Sequence, residues 1–240
     1  MNYALIFAGG VGQRMNTISL PKQFLRVHGK PIIVHTIEHF QKCSMIDGIV
    51  VVCLSDYIDF MAELKEQYGL TKILDIVPGG NNGQASIFHG LRALSAISRD
   101  DEDIVLIHDG VRPLINVEVI ESNIKCVKEN RTCITVAKAI ETVLVLDGDN
   151  VKEVVDRSNC YVGRAPQSFY FSDIYRCHLK ANEINKHDFI DSAMLMQHFG
   201  FQMHTVLGPA YNIKVTTPMD FYLFKAILDA KENEQIRVGE

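Results

Sequence analysis

Residues 3–24 read YALIFAGGVGQRMNTISLPKQF: a short apolar run, three glycines within four positions, an arginine and a proline-lysine pair. So short and continuous an apolar run reads as a strand buried on both faces. Glycines leaving its end let backbone N–H groups approach a phosphate closely, because no Cβ intrudes. Similar runs recur at 48–53 (GIVVVC), 72–77 (KILDIV) and 104–108 (IVLIH). Between them lie helix-period segments at 31–43, opening with Pro31, at 55–68, opening with Ser55-Asp56, and at 84–97. The alternation predicts an α/β fold: a Rossmann-like, doubly wound, mostly parallel sheet with sites beyond the strands' carboxyl ends.

Past residue 130 the rhythm changes. TCITVAKAI (132–140) and ETVLVLDGDNVKEVVDR (141–157) read as extended, with Asp147-Gly148-Asp149-Asn150 as a turn. A hairpin with little helix nearby to cover it is predicted as an arm leaving the sheet at about 139–160; uncovered, it favours packing on a partner. The pattern then returns to α/β, with helices near 172–182 and 188–199, strands near 201–207 and 211–215, and a last helix at 218–231. With no repeat, low-complexity segment or linker, residues 1–240 read as one domain.

Composition narrows the function classes. The net charge is −5 with both signs interspersed, and no Lys/Arg block supports nucleic-acid binding. The apolar runs fall short of the roughly 20 residues a membrane helix needs, and MNYALIFAGG lacks a basic signal-peptide n-region. A cytoplasmic protein without membrane or nucleic-acid partners is expected. The six cysteines never approach C-x-x-C spacing and read as buried free thiols.

Two common phosphate loops fail on the opening stretch. A dinucleotide fingerprint needs a third glycine where Met15 stands, and no acidic residue follows at the end of a second strand. The P-loop's Gly-Lys-Ser/Thr occurs nowhere in the chain. What remains is a loop of small residues carrying Arg14, which can grip phosphate bidentately, and Lys22, a compact point charge. Two cations and several amides suit a triphosphate whose pyrophosphate end leaves. Asp109 ends an apolar strand, where a carboxylate can ligate Mg²⁺ or accept hydrogen bonds from hydroxyls. Lys214, in NIKVTTP (212–218), can point into a cleft or out to solvent.

AGGVGQRM…LPKQF resembles the signature of the cytidylyltransferases that act on polyol phosphates, the 2-C-methyl-D-erythritol 4-phosphate and ribitol 5-phosphate enzymes. The resemblance continues in order through IHDGVRP (107–113), VVDR (154–157), APQSF (165–169) and NIKVTTP. It implies a nucleotidyltransferase fold and a Mg²⁺-dependent reaction in which CTP and a polyol phosphate give a CDP-polyol and pyrophosphate. It implies catalytic roles for Arg14, Lys22 and Lys214, and CTP contacts from Ala8, Gly9, Gly10, Gly12, Arg14, Lys22, Gly80, Asn81 and Ser86. Acceptor contacts fall to Asp109, Arg112, Thr142, Arg157 and Lys214, with Asp109 also the metal ligand. The family's arm implies a homodimer in which Arg157 reaches the partner's site. Ala8-Gly9-Gly10 and Leu20-Pro21-Lys22-Gln23-Phe24 sit closer to the ribitol-phosphate branch, and the methylerythritol acceptor is the alternative.

The chain departs from the family in two places. Glu141-Thr142 replaces an Asp-Thr pair, and Gly83 stands where relatives carry an arginine in Gly-Gly-x-x-Arg-x-x-Ser. A zinc-peptidase pattern, His35-Thr36-Ile37-Glu38-His39, also occurs, but Ile33, Ile37 and Phe40 explain it as an amphipathic helix. A nucleotide-sugar glycosyltransferase would want Asp-x-Asp at a strand end. Asp101-Glu102-Asp103 instead precedes its strand, and Asp147-Gly148-Asp149 lies in the hairpin turn. A catalytically silent nucleotide-binding regulator would bind CTP without releasing pyrophosphate.

Overall fold

A computed structural model describes residues 1–10 and 20–232. Strand β1 (Asn2–Ala8) is followed by a small ribbon, β2 (Arg26–Val27) and β3 (Lys30–Pro31), and by helix α1 (Ile32–Lys42). Next come β4 (Gly48–Cys53), α2 (Ile58–Gln67), β5 (Ile73–Pro78), α3 (Gly83–Ser95), β6 (Ile104–Asp109) and α4 (Val117–Asn130). β7 (Thr132–Lys138) leads into the hairpin β8 (Val143–Asp147) and β9 (Asn150–Val155), then β10 (Tyr161–Tyr170). α5 (Phe171–Glu183), α6 (Ser192–His198), β11 (Thr205–Leu207) and α7 (Pro218–Glu232) complete the order.

Among the described residues the main sheet runs β11-β7-β10-β6-β1-β4-β5. Every neighbouring pair is parallel except those of β10, which is antiparallel to β6 and β7. β1 shows why its sequence is continuously apolar. Ala4 and Ile6 join Ile37, Phe40 and Ile49 on one face, while Tyr3 and Leu5 join Val50, Leu91 and Val105 on the other. A strand covered by helices on both faces has no solvent side to make polar. Register places Ala8 beside Cys53 and Phe7 beside Asp109, so the three central strands end on one edge.

α1 buries Ile33, Ile37 and Phe40, as its periodicity predicts. Its histidines have separate duties. His35 Nε2 lies 3.0 Å from the Val27 carbonyl, burial pushes His39 down to about 4, and Glu38 accepts from Lys30 at 2.6 Å. Among the described residues no three His, Cys, Asp or Glu side chains gather as a metal site. Cys43, Cys53, Cys126, Cys133 and Cys177 are buried thiols, and Cys160 is half-buried.

Three sequence expectations need correction. β10 was not anticipated, because Gly163 and Pro166 interrupt it and Gln167-Ser168 break its apolar run; its register with β7 shifts between Gly163 and Gln167. Residues 211–215 form no strand; they are an irregular extended segment tied to the fold by Val215 N–H donating to the Val111 carbonyl at 2.8 Å. The elements expected at 188–199 and 201–207 shrink to α6 and β11, α6 starting where Asp191 accepts from Met194 N–H at 2.9 Å.

The hairpin β8–β9 pairs with itself rather than with the main sheet, and Gly148 at its turn has φ +59°. It extends the β7–β10 pair outward from Lys138 and Tyr161, and Leu144, Leu146, Val151 and Val154 stand exposed on it. Far from it, His28 ties the β2–β3 turn to α7: Nε2 lies 2.6 Å from Asp229 and Nδ1 2.9 Å from Glu232. The bond to Asp229 raises the imidazole above its ordinary 6.5; partial burial opposes this and Glu232 adds to it. The latch therefore stabilises the fold fully below the unfolded value and is lost as pH rises through the raised folded one. Melting temperature should fall slightly across that window, and His28→Asn, which tolerates the positive φ of 49°, should flatten the dependence; an unchanged pH profile would refute the latch.

Candidate active site

Beyond the carboxyl ends of β1, β4 and β6 the backbone opens into a trough of about 600 Å³. Ala8, Gly9, Gly10, Lys22, Gly80, Asn81, Ser86, Asp109 and Lys214 all line it. Gly12 and Arg14 lie outside the described residues. Gly9 is where close approach matters: a Cβ there would sit 2.9 Å from Ser86 Oγ. Ser86 serves the loop itself, accepting from Gly80 N–H at 3.0 Å and donating to the Asn82 carbonyl at 2.8 Å. Asn82 caps α3 by accepting from Ala85 N–H at 2.8 Å, so a helix N-terminus borders the trough.

Lys22 sits on a single 3-10 turn, Lys22–Phe24, after Pro21, and is nearly buried. Gln23 Nε2 donates to the Ala8 carbonyl at 2.7 Å, pinning that turn to the end of β1. Phe24 stacks on Tyr57 with centroids 5.0 Å apart. Asp220 accepts from Thr216 and Thr217 N–H at 2.9 and 2.8 Å. Burial raises its carboxyl, but those bonds and the charge of Lys22 hold it below its ordinary range.

The chemical centre is Asp109. Lys214 Nζ lies 2.6 Å from Oδ1, and Arg112 Nε donates to Oδ2 at 2.7 Å. Burial pushes this carboxyl up, yet the Lys214 and Arg112 charges and hydrogen bonds outweigh it and hold it at about 2. Arg112 also donates to the Asn212 carbonyl at 3.0 Å, and Asn212 Nδ2 to the Ala165 carbonyl at 2.9 Å. These bonds fix the irregular 212–216 segment against the sheet edge, so Lys214 faces the cleft rather than solvent. Behind them His108 is fully buried, its pKa pushed down to about 3 by desolvation.

A second cavity, of about 220 Å³, opens from the same place. It shares Phe7, Gly83, Asp109 and Lys214 with the trough and continues to Arg112, Arg164, Gln167, His178 and Asp191. Gln167 Nε2 donates to Asp191 at 2.8 Å, and Ala193 N–H donates to Gln167 Oε1 at 2.9 Å. Gly83 leaves its surroundings open, with nothing within 4 Å of where a Cβ would point.

The remaining expected residues stay apart. Thr142 and Arg157 are on the exposed arm, where Arg157 donates to the Ile140 carbonyl at 3.1 Å, and neither lines the trough or the chamber. The Asp-x-Asp candidates also lie elsewhere: Asp103 bonds Ser98 Oγ at 2.7 Å at the amino end of β6, and Asp147 is in the hairpin. Sequence reasoning missed Gln23, Asn82, Thr216 and Arg164. Only Asn82, three residues ahead of an amide it caps, left a local signal.

The matches to known proteins agree with this geometry. The family model described as IspD, 2-C-methyl-D-erythritol 4-phosphate cytidylyltransferase, matches residues 3–230. A ribitol-5-phosphate cytidylyltransferase of Streptococcus agalactiae is 55% identical over 237 residues, covering 98% of this chain and 99% of that one. A 2-C-methyl-D-erythritol 4-phosphate cytidylyltransferase of Clostridium botulinum is 34% identical over 232 residues, covering 95% and 97%. The crystal structure of 4-diphosphocytidyl-2C-methyl-D-erythritol synthase from Anaerococcus prevotii superposes with a TM-score of 0.81 at 29% identity, covering 95% of this chain and 96% of that one. A glycine-lined trough ending on a carboxylate held between two cations, in a chain matched over nearly its whole length, belongs to the IspD family, and the protein is a cytidylyltransferase.

Proposed function

We propose that this protein transfers CMP from CTP to ribitol 5-phosphate, releasing pyrophosphate. The observation that carries the acceptor is the 55% identity to a ribitol-5-phosphate enzyme, against 34% to a methylerythritol-phosphate enzyme. The triphosphate lies in the trough against the backbone of Ala8, Gly9 and Gly10, with Lys22 on its charge. Gly80 and Asn81 border the nucleoside, and Ser86 holds their loop. The acceptor's phosphate attacks the α-phosphorus in line and pyrophosphate leaves. A phosphate monoester has a second pKa of about 6 and is already largely dianionic at neutral pH, so no general base is required. The protein's task is to bring two anions together and stabilise charge on a crowded phosphorus, and the position of Lys22 and Lys214 in the trough lining supports that role for them.

Mg²⁺ fits this donor set as a companion of the triphosphate. Asp109 is the one carboxylate among the described residues lining the trough, and Mg²⁺ commonly takes one or two carboxylates plus substrate phosphates. Asp109 would hold it, and the bound ion would neutralise charge on phosphate oxygens. The exposed apolar hairpin supports a homodimer in which the arm of a second copy brings Thr142 and Arg157 to the acceptor phosphate. Buried free thiols accord with a cytoplasmic setting.

Incubation with CTP and either polyol phosphate, reading pyrophosphate, decides the acceptor. Faster release with 2-C-methyl-D-erythritol 4-phosphate would replace the ribitol reading by the alternative. The pH profile gives a second check. Asp109 stays ionised far into acid, so kcat/KM should fall only below about pH 6, where the acceptor phosphate protonates. Asp109→Asn should leave that limb in place while lowering its height.

A further inference from the structure

Residues 110–115, between β6 and α4, form neither strand nor helix and are nevertheless all buried. A buried connection must find a donor for each backbone carbonyl it withdraws from water. Five consecutive carbonyls do so here. Asp109 accepts from Arg112 N–H at 3.1 Å, and Val111 from Val215 N–H at 2.8 Å. Thr36 Oγ1 donates to the Gly110 carbonyl at 3.0 Å, and His108 Nε2 lies 3.2 Å from the Arg112 carbonyl. His39 bonds to the Pro113 backbone. A carbonyl can only accept, so the imidazole nitrogen facing it carries the proton.

Two of these five donors come from α1, where Thr36 and His39 stand one turn apart on the same side. Both belong to His35-Thr36-Ile37-Glu38-His39, whose apolar members the amphipathic pattern explains and whose polar members it does not. Gly110 is where the hold is tightest. Its N–H donates to the Phe7 carbonyl at 2.9 Å, its own carbonyl takes the Thr36 hydroxyl, and a Cβ on it would lie 2.9 Å from Ala8 Cβ. The turn is thus gripped between the end of β1 and α1. Asp109 precedes this residue directly, and Arg112, two positions on, donates to the Asp109 carboxylate. Thr36 is fully buried and lines neither cavity. Its single proton has two carbonyls in reach, and Gly110 is nearer than Ile32 of its own helix at 3.3 Å.

We infer that Thr36 is a positioning residue for the transfer reaction: through the Gly110 carbonyl it sets the Asp109 carboxylate and Arg112 against Lys214, while His39 and His108 hold the rest of the turn. The inference rests on the reading that places Asp109 at the reaction centre. A displacement of about 1 Å at a reacting group can cost about 100-fold in rate, so a hydroxyl outside the site can control turnover.

Thr36→Val keeps the shape and removes the donor, whereas Thr36→Ser keeps the donor. Thr135→Val is the matched control: Thr135 is equally buried, accepts from Asn123 Nδ2 at 2.9 Å between α4 and β7, and lines neither cavity. With CTP and ribitol 5-phosphate, Thr36→Val should lower kcat by about 10-fold and leave KM for CTP near its wild-type value. Thr36→Ser should recover most of the loss, and Thr135→Val should lower the melting temperature while kcat holds. Amide hydrogen exchange at Gly110, Arg112 and Val215 should quicken in Thr36→Val, with the amides of β4 unchanged. Wild-type turnover in Thr36→Val, no recovery in Thr36→Ser, or an equal loss in Thr135→Val would overturn the inference. If Thr36→Val does not fold, His39→Leu reads the hold of α1 on the same turn, faster Arg112 and Val215 exchange supporting it and unchanged exchange refuting it. If the wild-type protein releases no pyrophosphate with any polyol phosphate, the reaction reading falls separately. Exchange at the three amides then decides whether Thr36 holds the turn, a faster rate in Thr36→Val supporting it and an unchanged rate refuting it.

Discussion

Lys214→Ala is expected to lower kcat by about 10²–10³, the loss seen when a preorganised transition-state donor is removed. Its ammonium borders both cavities and lies 2.6 Å from Asp109, where the two cavities join. Removal has two consequences that act in the same direction. The proposed reaction loses one of the cations bordering the trough, and the Asp109 carboxylate keeps only Arg112. A carboxylate with one cation fewer then repels two anionic substrates more strongly. Lys22→Ala should show a loss of similar size, as should Arg14→Ala on the loop's sequence reading, whereas Lys214→Arg should recover part of the activity. Steady-state pyrophosphate release measures all four; near-normal turnover in Lys214→Ala would remove it from the catalytic centre.

The second large effect concerns the arm. Arg157→Ala should raise KM for the acceptor by about 10- to 100-fold, as expected for loss of a charge-assisted contact to phosphate, while KM for CTP stays near its wild-type value. The arm's exposure makes a sharper test possible. In one copy Arg157 reaches neither cavity, so a contribution to catalysis requires a second copy. Lys22→Ala and Arg157→Ala chains, each strongly impaired alone at acceptor concentrations well below KM, should together recover about a quarter of wild-type activity when co-expressed, since half the random dimers carry one intact site. No recovery would show that the arm acts within its own chain or not at all.

Much of the fold was legible in local pattern. The runs at 3–8, 48–53 and 104–108 could only be strands covered on both faces, and the helix-period segments between them required parallel crossovers. The arm was legible too, because Asp147-Gly148-Asp149-Asn150 is turn chemistry with strands on either side. β10 was not. Its pairing with β6 and β7 overrides a composition broken by Gly163 and Pro166, and no window of sequence contains the strands that hold it.

The candidate site divides in the same way. Small residues followed by cations at the end of β1 are a contiguous message, so Ala8, Gly9, Gly10 and Lys22 could be read directly as a phosphate loop. Lys214 could not, since a lysine between apolar neighbours faces cleft or solvent equally well. What decides it is Arg112 donating to the carbonyl of Asn212, a hundred residues along the chain. That bond brings an irregular segment against the sheet edge and sets Lys214 on Asp109. The chamber lined by Arg164, Gln167, His178 and Asp191 belongs wholly to tertiary structure, for its walls come from separate elements whose sequences carry no shared motif. Backbone periodicity is a local property and the sequence by itself determines it; the meeting of charges, and of buried carbonyls with their donors, depends on packing between distant segments, and only the folded chain decides that.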